Sequence, residues 1–405
     1  MRDRLHEIFM AGVARANPAA AVSAALAGRP APDVLLALGK AAIPMARAAL
    51  AAYPDVPALV VTNPENAAEL PGAEVLLGGH PVPDTGSLRA GADLLDRAAA
   101  LGSGERLLVL ISGGGSALAV APVEGVTLAD KAEMSRLLLG AGLDIRAMNL
   151  VRQNLSRLKG GGLARAAAPA TVTALILSDV VGDDLAAIAS GPTVQPQGGP
   201  CAARALLQEA GLWDRVPESC RAALDRDDPP PVPPSEALLI GSNGLSVEAM
   251  AQAAGPGARA EPIPLEGDVA EAAEIVAAAT RSGPGLTLWG GETTVVLRGD
   301  GRGGRNQELA LRVALALRDL GAPFAFLSGG TDGRDGPTDA AGAIVDDGTL
   351  DRIAAAGLDV ADHLARNDSY PALRAAGDLL MTGGTGTNVA DLQILWVGEM
   401  GPGAS

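Results

Sequence analysis

Short apolar runs alternate with helical patterns through the first half of this chain. The runs are Val34–Leu38, Ala58–Thr62, Val75–Leu77, Leu107–Ser112 and Thr173–Ser178, and the helical stretches are Ala41–Ala51, Ser87–Leu101, Asp130–Leu139 and Ile145–Leu158. Strands joined through helices run parallel, because a crossover connection returns the chain to the same end of the sheet. A parallel sheet is covered on both faces, so its strands are apolar at nearly every position, as these are. The pattern restarts at Ala237–Gly241 with a helix from Leu245. Further strands are expected at Leu286–Trp289, Thr294–Leu297, Pro323–Leu327 and Leu392–Val397. Between the halves, Asp227 to Pro234 reads Asp-Asp-Pro-Pro-Pro-Val-Pro-Pro, which can be neither helix nor central strand. At 405 residues the chain exceeds one ordinary core. The expected fold class is therefore α/β in two domains, residues 1–232 and 233–405.

Composition narrows the partners. The chain is 48% hydrophobic but only 2% aromatic, so Ala, Leu and Val must build its core. A formal charge of −16 argues against nucleic acid and anionic membranes. Of 31 basic residues only Lys40, Lys131 and Lys159 are lysines, leaving 31 − 3 = 28 arginines. Two of those lysines adjoin glycine, in Gly39-Lys40 and in Lys159-Gly160-Gly161-Gly162. Cys201 and Cys220 form no metal or redox motif. The N-terminus reads as an amphipathic helix and not as a signal peptide, and no apolar run reaches membrane-spanning length. A soluble, cytoplasmic protein is expected.

Chemistry concentrates in loops that follow strands, where α/β folds bind ligands. Gly39-Lys40-Ala41 turns a strand into a helix and offers amide N–H groups plus one full positive charge to an anion. The P-loop pattern is not met, since Val34 and Ala41 stand at two of its fixed positions. Ser112-Gly113-Gly114-Gly115-Ser116 can form a nest of donors around a phosphate. Lys159 supplies a second compact charge. Asp179, Asp183 and Asp184 follow another strand, and Asp332, Asp335 and Asp339 lie among glycines after Phe324–Leu327; both clusters suit a divalent metal or proton transfer. Gly290-Gly291-Glu292 and Gly303-Gly304-Arg305-Asn306-Gln307-Glu308 flank the strand expected at Thr294–Leu297. Arg305, at the start of a helix over Asn306–Leu317, can fork a carboxylate or a phosphate. Gly299, Gly301 and Gly304 satisfy G-x-G-x-x-G, but no βαβ unit with a ribose-binding acid surrounds them. His80, in Gly79-His80-Pro81-Val82-Pro83-Asp84, reads as a structural turn histidine.

These segments, in this order, resemble the glycerate 2-kinase family in its two-domain class with a C-terminal MOFRL domain. Asn149-Leu150-Val151-Arg152, Ser156-Arg157-Leu158-Lys159-Gly160-Gly161, Ser178-Asp179-Val180-Val181-Gly182-Asp183 and Thr385-Gly386-Thr387-Asn388-Val389 extend the likeness over nearly the whole chain. Gly384 and Ala390 depart from it, standing where Pro and Asn are expected. The resemblance implies a Rossmann-like N-terminal domain, a MOFRL-type C-terminal domain and an active site in the cleft between them. It implies ATP- and Mg2+-dependent phosphorylation of D-glycerate to 2-phosphoglycerate, with the family's sites falling on Lys40 and Arg305. On this reading Lys40, Arg305 and Asp179 are catalytic, and Ser112 to Ser116, Lys159, Glu292 and Asn306 bind nucleotide. Asp183, Asp332 and Asp335 would hold Mg2+. The partners are D-glycerate and ATP, with a homodimer left open. Two other readings stand beside it: an NAD(P)H-dependent hydroxypyruvate reductase, and a non-catalytic protein binding a sugar acid or nucleotide.

Overall fold

A computed structural model of the chain describes residues 1–180 and 182–399. Val181, in the middle of the Ser178–Asp184 motif, lies outside the described residues. The chain forms two compact units, Pro18–Ile240 and a second built from Met1–Asn17 together with Gly241 onward. The boundary falls at Ile240/Gly241, beyond the expected division at 232/233, and the first seventeen residues pack with the second unit. The helix Arg2–Arg15 buries Leu5, Ile8 and Phe9 against Val247, Met250, Leu392 and Ile394 of that unit. Arg2 anchors it further through ion pairs to Asp346 at 2.7 Å and Asp378 at 2.9 Å.

In the first unit the strands are β1 (Val34–Leu38), β2 (Ala58–Thr62), β3 (Ala73–Leu77), β4 (Arg106–Ile111), β5 (Thr171–Leu177) and β6 (Ser235–Gly241). Their order in the sheet is β3-β2-β1-β4-β5-β6, and the pairs from β3 to β5 are all parallel. That order is the doubly wound one, in which successive connections run outward from β1 in one direction and then reverse at β4. Burial explains the runs of Val, Leu and Ile: Leu36, Leu59, Val109 and Ile176 are sealed on one face by helix residues such as Leu94 and Leu163. The helix Thr85–Ala99 begins with a capping box, in which Asp84 accepts from the Ser87 amide and Ser87 Oγ accepts from the Asp84 amide. Caps of this kind are worth about 1 kcal/mol.

The strands of the second unit are β7 (Arg259–Ala260), β8 (Leu265–Asp268), β9 (Gly285–Thr294), β10 (Phe324–Gly330), β11 (Gly342–Asp346), β12 (Leu379–Leu380) and β13 (Asp391–Val397). They form a mixed sheet, β12-β11-β10-β13-β9-β7, with β8 pairing β9. The pairs from β12 to β9 are antiparallel, whereas β7 and β8 run parallel to β9. Two expectations change here. Gly290, Gly291 and Glu292 lie inside β9 rather than in a loop, and the strand ends at Thr294, so that residues 295–297 lie outside any strand. Pairing with β13 carries β9 through its glycines, and Val296 and Leu297, which read as apolar strand, are exposed. Among the described residues, no helix is long and apolar enough to cross a membrane.

Candidate active site

The reversal between β1 and β4 leaves a crevice beyond their C-terminal ends, the place where doubly wound sheets bind ligands. Two of the segments singled out in the sequence meet there. Gly39-Lys40-Ala41 leaves β1 and Ser112-Gly113-Gly114 leaves β4, and they are stitched together. The Lys40 amide donates to Gly113 O at 2.9 Å, the Ala41 amide to Ser112 Oγ at 3.0 Å, and the Ser112 amide to Leu38 O at 2.9 Å. The Lys40 side chain itself is exposed. The amides of Gly114, Gly115 and Ser116 donate to no group among the described residues. Three adjacent free N–H groups beside a lysine form a cradle for an anion.

Neighbouring loops close on this cradle. A Cβ on Gly113 would fall 1.8 Å from Asp179 Oδ2, so only glycine lets the β4 and β5 loops approach this closely. One on Gly114 would meet Lys40 Cγ at 3.1 Å and His80 Cδ2 at 3.3 Å. His80 therefore lies beside the cradle as well as in its Pro-rich turn. Its turn is held because Asp84 Oδ1 and Ser87 Oγ each accept from the Gly79 amide at 3.0 Å. Burial, with Lys40 adding to it, holds the imidazole below its usual pKa. Lys159 is 5% exposed and donates to Ser116 O at 2.8 Å and Ser116 Oγ at 2.6 Å. Burial pushes its ammonium well below the ordinary lysine range, and the charges of Lys131 and Arg152 push the same way.

The second unit gathers its own polar cluster at one edge of the sheet. Asp391 opens β13 and pairs with Gly330 of β10 on one side and Gly291 of β9 on the other. That register puts Asp391, Glu292 and the loop after Gly330 at a single edge, where the helix Arg305–Ala316 begins. Arg305 donates from Nε to Asp391 Oδ2 at 2.6 Å, from Nη2 to Asp391 Oδ1 at 3.0 Å and from Nη1 to Glu292 Oε1 at 2.8 Å. The carboxylates hold the guanidinium's pKa above its ordinary value against the effect of burial. Burial raises the Asp391 carboxyl despite Arg305. Arg305, Asp391, Asp332, Asn388 and Thr294 line a cavity of about 650 Å3.

The three carboxylates expected to hold a metal differ in what they are free to do. Asp335 is 3% exposed and accepts from the Asn306 amide at 3.1 Å and the Gln307 amide at 2.8 Å. It caps the helix that carries Arg305, and a Cβ on Gly304 would collide with its Cγ at 2.3 Å. Asp332 lines the cavity; its Oδ1 accepts from the Arg334 amide, and Oδ2 has no partner among the described residues. Asp183 belongs to the other unit, and its buried Oδ1 also has no partner among the described residues. Among those residues no three His, Cys, Asp or Glu side chains are gathered as a protein-only metal site would need. Asn306 is 1% exposed and accepts from Ser328 Oγ at 2.6 Å, so it braces the Arg305 helix. Asp339 is exposed and accepts from Tyr370 Oη. Cβ atoms on Gly299 and Gly301 would strike Arg366 O at 2.7 and 2.4 Å, so the packing of neighbouring loops accounts for the G-x-G-x-x-G match.

Comparison with known proteins agrees with this architecture. Residues 4–225 match the family described as a domain of unknown function, DUF4147, and residues 285–391 match the MOFRL family. The chain is 39% identical to the D-glycerate 2-kinase of Thermotoga maritima over 89% of each chain. It is 42% identical to human glycerate kinase over 78% of this chain and 72% of the human one. A protein of Agrobacterium vitis that carries a provisional hydroxypyruvate reductase name is 40% identical over 98% of this chain and 94% of its own. The crystal structure of glycerate kinase from Thermotoga maritima superposes with a TM-score of 0.92 at 36% identity, covering 98% of this chain and 99% of the other.

Proposed function

We propose that this chain, which belongs to the glycerate 2-kinase family, transfers the γ-phosphoryl group of ATP to the 2-hydroxyl of D-glycerate. The observation that carries the reading is the cradle at the switch point. Three unengaged amides, Gly114 to Ser116, lie beside Lys40 and can surround phosphate oxygens as they lose water. In the reaction the 2-hydroxyl oxygen bonds to phosphorus while the bond from the γ-phosphorus to the bridging oxygen breaks, releasing ADP. The hydroxyl proton passes to a carboxylate, and Asp179, against Gly113, is the residue assigned to take it. Lys40 offsets phosphate charge. Arg305 presents a guanidinium whose orientation Asp391 and Glu292 fix, leaving its outer N–H bonds for the substrate carboxylate or the transferring group.

Each taken within its own unit, Asp183 and Asp332 are suited to Mg2+, because each keeps a carboxylate oxygen without a protein donor among the described residues. It does not fit Asp335, whose two oxygens are committed to helix amides. Magnesium is commonly held by one or two carboxylates with phosphate and water, so a protein-only cage is not required. When bound it neutralises phosphate charge. Glu292 and Asn306 act through the Arg305 helix, and Lys159 acts through Ser116.

Phosphorus NMR of the purified protein with ATP, Mg2+ and D-glycerate tests the proposal. A growing 2-phosphoglycerate resonance matched by ADP is expected. A 3-phosphoglycerate signal would overturn the position of attack, and no new phosphoester would overturn the kinase reading.

A further inference from the structure

Ala189, Ser190 and Gly191 follow one another with φ of 49°, 59° and 62°. Glycine takes this left-handed conformation readily, but an L side chain there costs roughly 1–2 kcal/mol. Two such residues in succession persist only where surrounding contacts dictate them, and such strain collects at functional sites. The contacts are present. Ser190 O accepts from the Gly160 amide at 3.0 Å and from Gln153 Nε2 at 3.3 Å, and Gly191 O accepts from the Gly161 amide at 2.7 Å.

The result is to aim a side chain. Ser190 is 1% exposed, and its Oγ lies 2.9 Å from Ser116 Oγ while donating to Asn149 Oδ1 at 3.1 Å. A hydroxyl has one proton. Ser190 commits its proton to Asn149, so the contact with Ser116 runs the other way and Ser116 donates to Ser190. Lys159 in turn donates to Ser116 Oγ. The chain of bonds has one direction, from Lys159 through Ser116 and Ser190 to Asn149. The hydroxyl proton of Ser116 is consumed inside the protein, and what Ser116 offers an anion is its backbone N–H.

We propose that Ser190 is a positioning residue for the anion cradle: by accepting the Ser116 hydroxyl it fixes the turn that holds the Gly114, Gly115 and Ser116 amides together for a phosphate. The inference rests on reading Ser112–Ser116 as the phosphate loop of the proposed kinase. It also gives the strained segment a purpose, since relaxing Ala189 and Ser190 would carry the hydroxyl away from Ser116.

Ser190→Gly separates the backbone from the hydroxyl. Glycine suits φ of 59°, and the strain it relieves offsets the buried hydrogen bonds lost with the side chain, so this variant should fold with a melting temperature above that of Ser190→Ala, which loses the hydroxyl and keeps the strain. Binding is read as amide shifts of Gly114 to Ser116 in nitrogen–proton NMR, titrated with inorganic tripolyphosphate. Both variants should bind roughly tenfold more weakly, the scale of one lost hydrogen bond. KM for ATP should rise by a similar factor with kcat nearly unchanged. Wild-type affinity in Ser190→Gly would overturn the proposal, as would tripolyphosphate leaving these amides undisturbed in the wild-type protein. If the wild-type protein binds tripolyphosphate there yet phosphorylates no glycerate, the kinase reading fails, and the titration of the variants alone decides the role of Ser190.

Discussion

Arg305 closes its fork on Asp391, with Nε 2.6 Å from one carboxylate oxygen and Nη2 3.0 Å from the other, and the carboxylate is 0% exposed. Asp391 is the buried member of the pair, whereas the Arg305 side chain is 33% exposed and keeps a second partner in Glu292, so losing the Asp391 charge removes hydrogen bonds to a charged group without stranding a buried one. Asp391→Asn should therefore lower unfolding stability by roughly 1–2 kcal/mol and cut turnover together, because the guanidinium loses its fork and is held by Glu292 alone. Urea denaturation beside a coupled assay for ADP measures both. Stability unchanged within 0.5 kcal/mol (roughly the scatter of neutral surface changes) would mean that the fork is not closed.

Lys40 presents the opposite case. Its backbone is built into the β1–β4 junction, but its side chain reaches solvent and makes no ion pair among the described residues. Lys40→Met should leave the melting temperature within about a degree while lowering kcat by roughly 10²- to 10³-fold, the range for losing one preorganised charge-stabilising group. A large loss of stability with turnover largely kept would make Lys40 structural.

How much of this was legible in the sequence follows from what sets each feature. β1 and β2 fall where the apolar runs end, because a buried parallel strand is its own signal. The cradle was visible for the same reason: glycine and lysine directly after a strand. Asp391 was not visible. Its partner lies 86 residues away, and the pairing exists only because β13 aligns with β9 and β10. His80 was read as a turn residue because nothing local shows that the loop after β3 reaches Gly114. Asp335 looked like a metal ligand because a carboxylate among glycines reads the same whether it faces solvent or caps a helix. β7 and β12, two residues each, are too short to carry a period.

Asp335 should leave a signature in stability against pH. Burial raises its carboxyl from the ordinary 3.8 to about 6, overcoming the helix amides that favour the anion. A carboxyl raised on folding adds stability that is fully present below the unfolded value and is lost as pH rises through the folded one. The affected window is about pH 4 to 6, and the full effect is on the order of 3 kcal/mol. Asp335→Asn, which cannot ionise but can still accept an amide, should flatten this part of the curve. Equilibrium unfolding at half-unit pH steps checks it, and identical slopes in the two proteins would show that Asp335 does not titrate in that window.

Ala390 is the last residue before β13 and adopts φ of 63°, pinned by the Thr331 amide and hydroxyl donating to its carbonyl at 3.0 and 2.6 Å. Alanine has no side-chain group to compensate for a left-handed backbone, whereas asparagine tolerates it. The family pattern expects asparagine here, and Ala390 lines the 650 Å3 cavity beside Asp391, so a longer side chain has space to enter. Ala390→Asn should stabilise the protein by up to about 1 kcal/mol, the scale of relieving one such residue. It should also place an amide beside the Arg305–Asp391 fork. Differential scanning calorimetry would register the gain as a rise of a few degrees. A fall instead would show that the cavity wall rejects the added group and that alanine is there for room.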